Sequence, residues 1–387
     1  MKTSSFIIFF SIVFTIYGLV NFYIFKRVWP VFADTGIYRQ LFLFSFFFLV
    51  LAYPIGRLVE NLSRNVFTDF LVIVGSVYLG IMVYAFLCIL VIDIFRLLHI
   101  LFSIFPAFLI RHPQKTARLV TLYGMILVLL IITFGYMNTL FLRVRSFPID
   151  IQKSANGLKE LNLVMVSDVH LGTVIRSGRL EKVVDRINAL QPDVVLIPGD
   201  IVDEDVNSVA EQNMARILQR IKTVYGVYAT SGNHEYFAGV EAVVNYMRQG
   251  GITVLQDSVV KVADAFYVAG RKDLMAERLA DGRKSLDWIL QGVDKSLPII
   301  MMDHQPYHLE VARQNGVDLQ LSGHTHHGQL FPFNYITRMV YDLSWGYQKV
   351  ENTHYYVSCG VGTWGPPIRT SSFPEIVQLK IRFKGSQ

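Results

Sequence analysis

Five short polar clusters stand in order along the second half of this 387-residue chain: Asp168-Val-His170, Gly199-Asp200-Ile-Val-Asp203, Gly232-Asn233-His234-Glu235, Asp303-His304-Gln305 and Gly323-His324-Thr-His326-His327-Gly328. Carboxylate oxygens, amide oxygens and imidazole nitrogens are the donors that hold divalent metals, and a pair of such ions can activate water for hydrolysis. That chemistry requires the clusters to meet at one place. Each follows a run that reads as a buried strand: Leu163 to Val166, Val194 to Ile197, Val227 to Ala229, Ile299 to Met302 and Leu319 to Leu321. The carboxyl ends of strands in an α/β sheet are where ligands gather, so clusters far apart in sequence can converge there.

In content and order the clusters resemble the signature of the calcineurin-like metallophosphoesterases: D-x-H, G-D-x-x-D, G-N-H-[DE], a lone His, and G-H-x-H. The resemblance covers residues 155 to 387. Gly328-Gln329 with Pro332, and the run Gly360 to Arg369 followed by Pro374-Glu375, further resemble the bacterial subgroup that carries a membrane or export segment ahead of its phosphoesterase domain. One departure is His327, where that subgroup usually has Gly. As a third imidazole beside the metal-binding pair, it is a candidate to touch substrate.

The resemblance implies a sandwich of two mixed β-sheets flanked by helices, and two divalent ions drawn from Mn, Fe, Zn or Co. It implies that Asp168, His170 and His326 hold one ion, that Asn233, His304 and His324 hold the other, and that Asp200 bridges them. His234, next to Asn233 but off the metals, would stabilise the phosphoryl oxygens or protonate the leaving group. Taken singly the clusters are weak, since D-x-H is common and G-D-x-x-D reads as a turn; five in this order carry the argument.

Smaller expectations attach to neighbouring residues. Asp203 orients a loop or a ligand rather than binding metal. Glu235 fixes His234 or starts the helix after it. Arg369 is a candidate to hold a substrate phosphate, with a structural ion pair as the alternative. Tyr307, Trp345 and Trp364 either line an apolar entrance or belong to the core.

Composition divides the chain. Hydrophobic residues make up 52% of it, too many for one ordinary soluble domain, and the excess lies before Arg145. Four apolar runs occur there: Phe6 to Phe25, Leu41 to Ile55, Phe70 to Ile92 and Leu119 to Leu142. About 20 apolar residues span a bilayer as a helix, so the first, third and fourth suffice outright. The second needs Tyr38 and Leu58-Val59 to complete it, with Pro54 kinking its last turn. Ile94 to Ile110, interrupted by Arg96, His99 and Pro106, reads as an extension of the third helix followed by an interfacial segment. Asp93 and Arg96 are spaced to pair, and Asn21 is spaced to pack helices. The predicted division is a transmembrane helical domain over 1–145 and a metallophosphoesterase domain over 146–387.

The first run lacks a cleavage pattern after it and should be retained. The net charge of +6 comes from the membrane region, where twelve Lys and Arg face four Asp and Glu. It therefore reports membrane-flanking cations, and no nucleic-acid partner is expected. Basic residues balance across the two sides, so charge does not orient the protein. Cys88 and Cys359 suggest no disulfide framework.

In the second half, Leu180, Val183, Val184, Ile187 and Leu190 recur at helical spacing, giving a βαβ unit. Asn207 to Ile221 and Val240 to Gln249 read as further helices, and the alternation predicts a mainly parallel sheet. Short β-rich runs over Ile252 to Ala269, and from Tyr355 to the end, suggest a second sheet. The whole points to a multi-pass protein of the bacterial inner membrane that hydrolyses phosphodiester or pyrophosphate bonds of a lipid-linked substrate. The alternatives are a tethered enzyme acting on a soluble nucleotide or cell-wall phosphate, and a non-catalytic metal-binding scaffold. A scaffold tends to lose ligands or the proton donor, and here each is present.

Overall fold

The computed structural model describes residues 3–32, 36–60, 62–203, 205–279 and 282–385. They form two compact units: one runs through Met137 and includes Gly365–Ile368, and the other comprises Asn138–Trp364 with Arg369 onward.

The first unit is helical: α1 (Thr3–Phe32), α2 (Ile37–Glu60), α3 (Val66–Phe102), the short α4 (Ala107–Arg111) and α5 (Pro113–Leu140). Among the described residues, α1, α2, α3 and α5 are long and apolar enough to cross a membrane. Asn65 starts α3 through a capping box: its Oδ1 accepts from the Phe67 and Thr68 N–H groups, and Thr68 Oγ1 accepts from Asn65 N at 2.9 Å. The helix runs on through Asp93 and Arg96 to Phe102, in line with the sequence reading. Lipid tails offer no hydrophobic drive for helix pairing, so close approach of small residues supplies it. A Cβ at Gly75 would overlap Tyr53 N, and one at Gly56 would stand 2.9 Å from Val72 N, so α2 and α3 meet backbone to backbone. Asn21 packs as its type suggested, donating to Tyr17 O at 2.8 Å and accepting from Tyr78 Oη. Asp93 takes Arg27 at 2.6 Å and Arg96 at 3.4 Å.

The second unit holds twelve strands: β1 (Arg143–Ile151), β2 (Glu160–Met165), β3 (Val194–Pro198), β4 (Val227–Thr230), β5 (Thr253–Val254), β6 (Ser258–Val262), β7 (Phe266–Gly270), β8 (Ile299–Met302), β9 (Leu319–Ser322), β10 (Gly346–Val350), β11 (Thr353–Val357) and β12 (Glu375–Phe383). They make two six-stranded mixed sheets, ordered β1-β12-β2-β3-β4-β5 and β10-β11-β9-β8-β7-β6. The helices are α6 (Ser177–Ala189), α7 (Val206–Glu211), α8 (Met214–Leu218), α9 (Asn233–Ala238), α10 (Val240–Gln249), α11 (Leu286–Ile289), α12 (Leu309–Gln314) and α13 (Phe333–Val340).

Strand alternation builds the layers. On β2, Val164 faces Leu180 and Val184 of α6, while Leu163 and Met165 face Ile300 and Leu321 of the other sheet. The outer face of the second sheet packs Ile299 and Met301 on Leu286 and Leu309. The order is therefore helices, sheet, sheet, helices. Each fully buried Leu or Val contributes roughly 1.5–3 kcal/mol relative to exposure.

Three details differ from the sequence reading. The C-terminal β12 lies in the first sheet, parallel to β1 and antiparallel to β2, rather than with β11 in the second. The first strand begins at Arg143, inside the stretch assigned to the membrane region, because Arg143 onward pairs with β12 from Glu375. The single helix expected over Asn207 to Ile221 is two short ones, broken where Asn213 takes a positive φ of 50°.

Candidate metal centre

The strand ends bring the five clusters together. Asp168 follows β2, Asp200 follows β3, Asn233 opens α9 after β4, His304 follows β8 and His324 follows β9. Crossed backbone bonds tie these loops: Asp168 N donates to Gly199 O at 3.2 Å, Gly323 N to His304 O at 2.9 Å, and Gly362 N to Asp168 O at 2.8 Å. Asp168, His170, Asp200, His324, His326 and His327 all have φ between 46° and 72°. Non-glycine residues adopt this region at a cost, and such strain gathers where geometry serves a site. Glycine is required beside the carboxylates, since a Cβ at Gly232 would overlap Asp200 Oδ1 and one at Gly323 would overlap Asp168 Oδ2.

The donors form two facing sets. His170 Nε2 and His326 Nε2 stand 3.0 Å apart, with Asp168 Oδ1 3.6 Å from the His326 nitrogen. In the other set, Asn233 Oδ1 lies 3.2 Å from His304 Nε2 and 2.8 Å from His324 Nδ1. Asp200 Oδ2 is 3.1 Å from His304 Nε2 and 3.8 Å from His170 Nε2, so one carboxylate oxygen touches both sets.

Partners behind the rings select their tautomers. The His304 Nδ1 group donates to Pro198 O at 2.8 Å, and that of His170 to Asp203 Oδ1 at 3.2 Å. An oxygen of either kind only accepts, so Nδ1 carries a proton in both rings and Nε2 is the atom turned to the centre. Asp203 also receives the His234 Nδ1 group, through its carbonyl at 2.8 Å and Oδ1 at 3.1 Å. It thus touches two rings, and with His170 and His234 it forms a third group of donor atoms close enough to hold an ion.

Glu235 neither fixes His234 nor merely starts a helix. Its carboxylate accepts from the backbone N–H groups of Asp200, Ile201, Val202 and Gly232 at 2.7–3.1 Å, fastening the Asp200 loop to the start of α9.

Electrostatics follow from burial. Burial alone would raise the Asp200 carboxyl, but His304 outweighs it and holds it well below the usual range. Asp168 is pushed up by burial. Burial and the neighbouring His304 bring His324 down to about 3, and burial with His170 and Arg369 holds His326 well below its ordinary value. These two rings therefore stay neutral, the form that can donate a lone pair. For His234, burial acts downward, yet the bond to Asp203 and the Asp200 charge raise it to about 10.

His327 and Arg369 turn towards protein rather than an open pocket. His327 is buried with Nδ1 3.2 Å from Ser344 Oγ and its ring against Trp345. Arg369 is fully buried; it donates to Gly362 O and Ser372 Oγ, and its Nη2 lies 3.1 Å from His326 Nδ1. Arg369 thus stands behind the His326 ring, in keeping with the structural alternative named for it. Trp345 is likewise structural, donating to Glu375 at 3.1 Å. Trp364 does border the site, with its ring 6.2 Å from His234, and Tyr307 packs on Tyr341.

Two contributors escaped the sequence reading. Tyr341 sets its ring 6.1 Å from His324, and no local pattern marks it. Ser167 donates to Asp168 Oδ2, and its adjacency to the first cluster was the available signal. Asp303, beside His304, is clamped by Arg271 at 2.9 Å and Arg283 at 2.5 Å and fixes the end of β8.

The donor set fits divalent metal ions: buried carboxylates need countercharge, and every inward atom is an oxygen or an imidazole nitrogen suited to first-row metals. Residues 161–328 match the family model described as calcineurin-like phosphoesterase. A metallophosphoesterase of Aquifex aeolicus is 33% identical over 268 residues, which cover 68% of this chain and 100% of that protein. The chain belongs to the metallophosphoesterase family. A second relative, a metallophosphoesterase of Helicobacter pylori strain J99, is 31% identical over 62% of this chain, and the match spans only 64% of that protein's length. A third, from Campylobacter jejuni, is 29% identical over 98% of this chain and 99% of its own, so the similarity extends through the apolar helices.

Proposed function

We propose that this metallophosphoesterase is a multi-pass protein of the bacterial inner membrane that uses two divalent ions to hydrolyse phosphodiester or pyrophosphate bonds of a lipid-linked substrate. One observation carries the dinuclear reading: Asp200 Oδ2 lies within 3.8 Å of an imidazole from each donor set, and a bridging carboxylate is what a two-metal centre requires. When bound, the ions supply Lewis acidity and activate water.

The chain's own residues do the rest. Asp168, His170 and His326 hold one side, Asn233, His304 and His324 hold the other, and Asp200 joins them. Asp203 sets the His234 ring with Nδ1 engaged, which leaves Nε2 to stabilise phosphoryl oxygen or deliver a proton to the leaving group. The lipid-linked substrate is supported by four apolar helices, more than simple tethering needs, and by the exposed Trp364 beside His234.

The test is hydrolysis of a chromogenic phosphodiester by the full chain in detergent, with Mn²⁺, Fe²⁺, Zn²⁺ or Co²⁺ added. Metal-dependent turnover that disappears in Asp200→Ala is expected. Metal bound without turnover under any of the four would favour a scaffold.

A further inference from the structure

Helix α13 carries its polarity the wrong way round for a soluble surface. Tyr335, Ile336, Met339 and Val340 are 52–79% exposed, and Phe331 just before the helix is 51% exposed. The half-buried positions are instead the polar Asn334 and Thr337, and no residue of the helix is fully buried. A helix ordinarily turns its apolar stripe to the core. A contiguous exposed apolar face marks a surface that something covers.

Both ends of this helix are tied to the metal centre. A Cβ at Gly328, at the end of the His324-to-Gly328 cluster, would overlap Asn334 N, so the start of α13 rests on that loop's backbone. Tyr341, which follows the helix, stacks edge-on to His324 and lies 3.2 Å from the Tyr307 hydroxyl. Arg338 is exposed and is the only charged residue in α13, and among the described residues it forms no ion pair, exposed Asp342 beyond the helix included.

We propose that α13 is an interfacial helix that seats on the bilayer surface beside the metal centre. Phe331, Tyr335, Ile336, Met339 and Val340 enter the boundary between headgroups and acyl chains, and Arg338 meets anionic headgroup phosphate. A bilayer is favoured over a protein partner because α1, α2, α3 and α5 supply one to every molecule. An exposed cation on this face also complements anionic lipid, and aromatic with aliphatic side chains is the mixture that interfaces select. The proposal rests on the membrane anchoring proposed above and is independent of the substrate's identity.

The full chain in lipid nanodiscs tests it, with Met339→Cys carrying an environment-sensitive fluorophore and, as a second site, Tyr335→Cys. Asp264→Cys is the control: this residue lies in the β6–β7 turn, ahead of β7, and its side chain is 90% exposed. The labelled parent chain accounts for Cys88 and Cys359. Blue-shifted emission is expected at both α13 sites, with quenching by shallow brominated lipids several-fold above that at Asp264. Phosphatidylglycerol should increase the quenching, and Arg338→Gln should remove that increase.

Quenching equal to the control overturns the proposal. So does a blue shift without lipid quenching, which would assign the face to a second copy or another protein. No substrate is present in the experiment, so failure of the lipid-linked reading and failure of this one are separately visible.

Discussion

Asp200 touches an imidazole of each donor set and is proposed to bridge them, whereas the contacts of Asn233 in the centre are to His304 and His324. Asp200→Ala should therefore strip both ions, and Asn233→Ala chiefly one. Elemental analysis of the purified variants checks this, and equal partial loss in both would remove the bridging role. His234 offers the complementary case: Asp203 holds its Nδ1, and although it neighbours His170 it is proposed to act on the phosphoryl group rather than on a metal. His234→Asn should keep metal stoichiometry near the parent's while kcat falls ~10²- to 10⁴-fold, the scale of a positioned acid. The fall should be smaller for substrates with very good leaving groups. Parallel loss of metal and activity would place His234 among the ligands.

At the scale of elements, α2 and α3 pair through glycine contacts that leave no room for a side chain. Gly75→Val would drive its Cβ into the Tyr53 backbone, and overpacking of this kind costs ~1–3 kcal/mol. Thermal unfolding in detergent should show the helical unit destabilised while the metal content of the catalytic unit stays unchanged, since every proposed ligand lies beyond Asn138. A matching loss of metal would mean that the two units do not fold independently. In the catalytic unit, the paired β1 and β12 form one side of the first sheet, so a domain cut after Arg145 would remove the first residues of β1.

The whole molecule joins a set of apolar helices to a metal-binding sandwich. A chain starting at Asn138 keeps β1 whole and keeps the bonds from the Asn138 side chain to Arg369 O and Ser372 O at 3.0 and 2.8 Å. It should fold, bind metal and cleave small soluble phosphodiesters at rates near those of the intact protein. On a long-chain substrate in mixed micelles it should lose most activity, because α13 alone confines the protein to a surface far less firmly than the four apolar helices do, and confinement raises local substrate concentration. Kinetics of both proteins on short- and long-chain versions of one substrate decide the matter. Unchanged relative rates would leave the helices as an anchor and favour a soluble substrate.

Much of this was legible before any coordinates. Apolar runs long enough for a bilayer announce themselves by composition, and the ligand clusters sit directly after buried strands, so a local pattern carried both. What lay beyond reach were properties of neighbours distant in sequence. Nothing near Glu375 says that β12 inserts between β1 and β2, because pairing is decided by which edge is open when the sheets assemble. Arg369 and His327 have the chemistry of phosphate-binding groups, and only the packing around Gly362, Ser372 and Ser344 turned them inward. Glu235 could be read as a cap or a prop for His234, until the convergence of β3 and β4 brought four N–H groups within reach of its carboxylate. The apolar residues of α13 pass for core in the sequence, and their exposure was settled by the polar positions that rest on the protein instead. Periodicity and residue type determine what a segment can do. Which of its faces meets protein is fixed by tertiary contacts, since burial depends on what else arrives at the same place.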